Sequence, residues 1–269
     1  MSLLHNYGWH KQKPDSRDFT IRHLGLVRKL PKVTPPSANL RRWCSEVADQ
    51  GQLGSCTANA WAGLLEFNEN RFPTTGSKYT DLSRLFIYYN ERALSGSMDT
   101  DSGAELRDGA ATLSKQGVCP ESEWQYIISQ FTIQPLAKCY TDALANVIHS
   151  YYALDGATGA ETLANAKTCL ASGQPFVFGF TVYESFESDV VTNTGVMPVP
   201  NTQTEQVLGG HAVMAIGYND SEQRFLIRNS WGRSWGLPAP LYRGYFTMPY
   251  SVLADPNQVS DLWTVVKDH

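Results

Sequence analysis

The stretch Gln50-Gly51-Gln52-Leu53-Gly54-Ser55-Cys56-Thr57-Ala58-Asn59-Ala60 runs from a loop of glycines and small polar residues straight into a helical pattern. From Ala58 the apolar residues Trp61, Leu64, Leu65 and Phe72 recur at helical spacing, and no proline interrupts them before Pro73. Ser55 is a good N-cap by residue type, which places Cys56 in the first turn. Unpaired backbone N–H groups and the positive end of the helix dipole stabilise an anion there, so the thiol is biased toward thiolate, its reactive form. Gly51 and Gly54 allow close backbone packing and leave the sulfur accessible. A lone cysteine is by default a small core residue. A nucleophile needs, elsewhere in the chain, an imidazole to take its proton and a group to fix that imidazole.

Both are present. In Gly209-Gly210-His211-Ala212-Val213-Met214-Ala215-Ile216-Gly217-Tyr218 a histidine stands at the mouth of a strand of small and apolar residues. The glycines before it let a substrate backbone approach. In Arg228-Asn229-Ser230-Trp231-Gly232 an asparagine closes the strand Phe225-Leu226-Ile227. Asn229 can accept a hydrogen bond from the ring N–H of His211, and Trp231 can shield that bond from water.

With the order Gln, Cys, His, Asn and these flanks, the chain resembles the papain-like cysteine peptidases, and most of all their bacterial members. The match is carried by Gln50-Gly51 with Gly54-Ser55-Cys56, by Gly210-His211-Ala212-Val213 and by Asn229-Ser230-Trp231-Gly232; looser similarity runs from about Asn39 to the C-terminus. The resemblance implies Cys56 as nucleophile, His211 as acid/base, Asn229 as its orienter and Gln50 as side-chain donor of the oxyanion hole. It implies an α+β fold of two lobes, a helical lobe over about 50–148 and an antiparallel β-barrel lobe over about 149–269, with the active-site cleft between them. The expected reaction is peptide-bond hydrolysis through a Cys56 thioester, with polypeptide substrates and no cofactor. A Cys/His/Asn acyltransferase and a catalytically silent peptide-binding module are the rival readings.

Three positions depart from the family pattern. Leu53 replaces the usual cysteine three residues before the nucleophile, Thr57 the usual tryptophan after it, and Gly210 the usual aspartate before the histidine. The first removes a conventional disulfide, so the family's bridge pattern does not transfer. Cys44, Cys119, Cys139 and Cys169 then allow three full pairings. Cys169 lies in a helical pattern and reads as a buried free thiol, whereas Cys44 and Cys119 could bridge.

The periodicity supports the division into halves. Helices are expected from Cys56, from Ser83 to near Gly96 with Asp81 or Ser83 as cap, from about Ala104 to Lys115, and from about Ala160 to Ala171. Strands are expected over Ser150–Leu154, Phe176–Tyr183, Ala212–Tyr218, Phe225–Arg228, Tyr242–Met248 and Leu262–Val266. A chain of 269 residues, 42% hydrophobic and 18% charged, suits one folded two-lobed domain. A net charge of −4 without a basic run gives no reason to expect nucleic acid or an anionic membrane as partner. No run approaches the roughly 20 apolar residues of a membrane span, and Met1-Ser2-Leu3-Leu4 leads into His5 with no secretory signal visible. No histidine or cysteine spacing suggests a metal site.

Residues 1–38 form a separate, turn-rich and aromatic segment that continues through Leu30-Pro31 and Pro35-Pro36. Two readings are open: a strap packed on the surface, or an inhibitory pro-segment much shorter than the helical one usual in the family. The resemblance also proposes substrate contacts. Ser102-Gly103 would pair with an extended substrate backbone. A pocket for the side chain before the scissile residue would be walled by Gly179, Gly209 and Ala212, all small, with Gly210 and Trp231 nearby. Aligning Val266-Lys267 with the family's terminal strand puts Asp261 at the pocket floor, where its carboxylate would favour arginine; the alternative is that Asp261 faces water.

Overall fold

The computed structural model describes residues 5–21, 33–73 and 80–265; Leu30-Pro31 and Val266-Lys267 lie outside them. Helix α1, Cys56–Arg71, is buried continuously from Cys56 to Asn68. A helix covered on all sides is not amphipathic, and this one packs on sheet strands on one side and on α2 and α3 on the other. Its position matches expectation but its cap does not. The Ser55 side chain makes no capping bond, because its Oγ is engaged with the Tyr126 hydroxyl and with Asn59 Nδ2, the latter at 3.1 Å.

Helix α2, Arg84–Ser95, starts on Ser83, whose side chain accepts from the Phe86 amide, and stops at Gly96 in the left-handed conformation. Helix α3 spans Leu106–Gln116 and begins later than its pattern suggested. Ala104 belongs instead to a backbone bridge with the N-terminal segment. A short α4, Ala137–Ala143, completes this half.

Strands β1 (Ser37–Asn39), β2 (Tyr151–Ala153), β3 (Phe176–Tyr183), β4 (Val207–Asn219), β5 (Arg224–Arg228), β6 (Tyr245–Pro249) and β7 (Val259–Val265) form one antiparallel sheet. Its order is β2-β7-β3-β4-β5-β6, with β1 added to β4. Helices α5 (Gly159–Ala171), α6 (Asp189–Thr194) and α7 (Tyr250–Leu253) connect the strands. The expected barrel is a correction: the sheet stays open. At each outer edge a non-strand segment makes an isolated bridge, Thr20 with Ala153 of β2 and Val196 with Thr247 of β6, and β2 and β6 do not pair with each other. A single apolar core runs from α1 to β7 across both halves.

Candidate active site

The β3/β4 register sets Phe180 opposite His211 and Gly179 opposite Ala212. The β4/β5 pairing then returns the chain so that Asn229, just past Arg228, reaches the same place. His211 Nε2 lies 2.7 Å from Asn229 Oδ1. That oxygen also accepts the Ser230 amide at 2.8 Å, so it acts as acceptor for both and the imidazole proton sits on Nε2. Nδ1 is left as a buried lone pair with no protein partner among the described residues. Trp231 stacks on the imidazole with centroids 4.8 Å apart and an interplanar angle of 24°. The Cys56 sulfur accepts the amide of Ala212, the residue after His211, which ties the start of α1 to the histidine's own strand.

Gln50 is fully buried and held on every side. Its Oε1 accepts the Ser230 hydroxyl at 2.6 Å, its amide nitrogen reaches the Ser230 carbonyl at 2.9 Å, and its carbonyl accepts the Tyr126 hydroxyl at 2.9 Å. Nε2 is thereby aimed toward the cleft while donating to Leu53 O at 2.9 Å. Burial pushes the Cys56 thiol up to about 11, outweighing the hydrogen bonds from the Ala212 and Gly8 amides. Burial also lowers His211 to about 4 against the opposing Asn229 bond. Both directions favour a neutral thiol beside a neutral imidazole.

A buried thiol, an oriented imidazole and a fixed amide donor are the parts of an acyl-transfer site. Residues 34–255 match the family described as Papain family cysteine protease. The chain belongs to the papain family of cysteine proteases. It is 40% identical over 287 aligned positions to a peptidase C1-like protein of Acanthamoeba polyphaga mimivirus, covering 98% of this chain and 88% of that one. Xylellain, a cysteine protease from Xylella fastidiosa, superposes with a TM-score of 0.82 at 36% identity over 98% of this chain and 97% of its own. Procathepsin B S9 of Trypanosoma congolense, at 18% identity, shares the fold with a TM-score of 0.70 over 97% and 85% of the two chains. As a papain-family hydrolase, the protein has polypeptide substrates.

In this papain-family chain the cleft is filled by the N-terminal segment. The Asn6 carbonyl accepts Gln50 Nε2 at 3.1 Å, and the Gly8 amide bonds the Cys56 sulfur. The Trp9 amide donates to Gly210 O at 2.9 Å, while Ala104 donates to Gly8 O at 2.7 Å and accepts the His10 amide at 3.0 Å. The Trp9 indole lies where side chains on Gly179 and Gly210 would have to be, 1.9 and 2.7 Å from their ideal Cβ positions. Its Nε1 donates to Asp261 Oδ2 at 3.0 Å, and that oxygen also accepts the Gln12 amide at 3.0 Å. Farther on, Asp18 pairs with Arg107 at 2.6 Å, and Ile21 with the Ala153 backbone at 3.1 Å.

The residues expected to contact substrate meet the N-terminal segment as follows. Backbone pairing in the loop is made by Ala104, not by Gly103, although the Ser102 carbonyl does meet the His10 ring. Gly103 lies directly beneath the Gly8 carbonyl, with φ 72. The wall of the tryptophan pocket is Gly179 and Gly210; Gly209 faces Tyr7, and Ala212 faces the Cys56 sulfur. Asp261 is at the pocket floor, 4% exposed rather than facing water. It sits at φ 61, where β7 slips register against β3, and burial raises its carboxyl to about 6. The thiols of Cys44 and Cys119 do not bridge. Cys44 lies near Leu40 O, Cys119 hydrogen-bonds Cys139, and all five cysteines are unlinked.

Residues not singled out by sequence also shape the site. Ser230 aims Gln50, Tyr126 braces the loop before Cys56, and Glu187 receives His5 and the Tyr7 hydroxyl. Ser230 lay within a recognised motif. The other two carry no local signal.

Proposed function

We propose that the chain is a cysteine endopeptidase that is held closed by its own N-terminal strap. The observation that carries this reading is the Asn6 carbonyl on Gln50 Nε2, directly beside a Cys56 sulfur that meets an amide. In the open enzyme Cys56 gives its proton to His211 Nδ1 and the sulfur attacks a scissile carbonyl, with the developing oxyanion received by Gln50 Nε2 and the Cys56 amide. His211, held by Asn229, protonates the leaving amine, and water then hydrolyses the thioester with His211 as base. The strap supports the closed state because it brings an N–H to the sulfur, which is not an electrophile. It thus fills the cleft without presenting a bond to cut.

The binding-module reading gains nothing from this geometry, since an imidazole with a fixed tautomer and an aimed amide serve chemistry more than retention. The pocket holding Trp9 is proposed to receive the side chain preceding the scissile residue, with Asp261 selecting hydrogen-bond donors there. Treatment of the full chain with a thiol-directed peptidyl epoxide tests the reading. One adduct on Cys56, with hydrolysis lost in parallel, is expected. Persistent hydrolysis by Cys56→Ala sinks it.

A further inference from the structure

Glu187 ends a 3-10 turn, Glu184–Glu187, between β3 and α6, and its side chain is only 6% exposed. Among the described residues, every hydrogen bond it accepts comes from the strap. His5 Nδ1 lies 3.0 and 3.2 Å from its two oxygens, the His5 amide lies 3.5 Å from Oε1, and the Tyr7 hydroxyl donates to Oε1. The His5 ring also lies flat on Trp231, with centroids 3.7 Å apart and planes 4° apart. Once the strap leaves, a recessed carboxylate faces the cleft beside an indole face and lacks a partner. A carboxylate in that setting is costly to leave unpaired.

The geometry points to Glu187 and Trp231 as a substrate subsite for a planar cationic side chain, arginine above all. A guanidinium meets both features at once, stacking on the indole while its N–H groups meet the two carboxylate oxygens. The inference rests on the peptidase reading for its location. His5 and Tyr7 lie by His211 and Trp231, on the opposite side of Cys56 from the Trp9 pocket. His211 delivers its proton to the leaving amine, so the subsite faces the half of the substrate that follows the scissile bond. The predicted substrate class is therefore a polypeptide with arginine within the first few residues after the cut.

The strap itself serves as the first test, because position 5 already occupies the subsite. Labelling of Cys56 by iodoacetamide in the full chain reads how often the strap opens. His5→Arg should slow labelling severalfold, and His5→Leu should speed it about tenfold, the scale of one charge-assisted hydrogen bond. Both differences should vanish on a Glu187→Gln background. Labelling rates indifferent to residue 5, or differences that survive Glu187→Gln, overturn the assignment. A second arm uses full-length Trp9→Ala protein and two quenched peptides carrying arginine or uncharged, isosteric citrulline after the scissile bond. A higher kcat/KM for arginine that Glu187→Gln removes is expected, and equal values overturn the substrate class. If neither peptide is cut while the labelling pattern holds, the peptidase reading fails and the substrate class falls with it, and only the capture of a cation at position 5 by Glu187 stands.

Discussion

The hydroxyl of Ser230 donates to Gln50 Oε1 at 2.6 Å. Ser230 follows the asparagine that orients His211, so one dipeptide fixes both the imidazole and the amide proposed to receive the oxyanion. The two halves of the site are aligned by this link across 180 residues of sequence.

Ser230→Ala should leave the Gln50 amide free to rotate. The expected loss is about tenfold in kcat/KM, the scale of one buried hydrogen bond. Removing the donor outright by Gln50→Ala should cost ~10²–10³ in kcat. Labelling of Cys56 by a small electrophile should survive both changes. Peptidase assays beside labelling rates separate these outcomes, and near wild-type turnover by Gln50→Ala would refute the oxyanion assignment.

Trp9→Ala should open the cleft. Truncating a buried tryptophan typically removes about 3–5 kcal/mol of packing, so iodoacetamide should reach Cys56 roughly 10²–10⁴-fold faster in the full chain. An unchanged labelling rate would mean that the strap does not guard the sulfur.

The closed site predicts a pH profile. With the thiol raised to about 11, Cys56 stays protonated through neutral pH and becomes thiolate only as pH climbs toward 11. With the imidazole lowered to about 4, His211 gains its charge only as pH falls through 4. Alkylation of the closed chain should therefore rise about tenfold per pH unit between 7 and 10, as thiolate fraction does. The Trp9→Ala chain, whose site is hydrated, should instead reach a plateau near neutrality. Matching profiles for the two proteins would show that burial by the strap is not what suppresses the ion pair.

Asp261→Ala should change selectivity at the pocket that Trp9 fills. Loss of the floor carboxylate is expected to lower the Arg-Arg to Phe-Arg ratio of kcat/KM about tenfold, as for one charged contact. Fluorogenic substrates on open, full-length protein measure it. A constant ratio removes Asp261 from substrate selection.

Cys56 and Asn229 were placed by local signals, the start of α1 and the end of β5, whereas Gln50 and the His211 position, inside β4 rather than at its mouth, rested on the motif pattern. Helix α2 was equally legible from Ser83 and Gly96, its cap and its stop. The strap's route was not. Its contacts join residues 182 and 252 positions apart, and aromatic residues alone do not say which pockets they enter. Glu187 was silent for the same reason. Ser55 misled because a hydroxyl suited to capping was claimed by Tyr126, 71 residues away. The open sheet also escaped notice, since Thr20 and Val196 bridge to its edges without any strand pattern.

Strand β4 meets the two parts of the N-terminal segment at opposite ends. Gly210 near one end accepts the Trp9 amide, while Gly217, Tyr218 and Asn219 at the other pair with β1. The strap proposed to inhibit is thus anchored to the same strand that carries His211, and its local concentration is set by tether length rather than by the amount of protein. Short tethers hold such a ligand at about millimolar effective concentration, so even a weak strap keeps the cleft shut at any dilution. A single cut between Ile21 and Ser37 would end that advantage and make the severed piece an ordinary peptide that diffuses away. Latency would then be lost without a change in any contact at the active site.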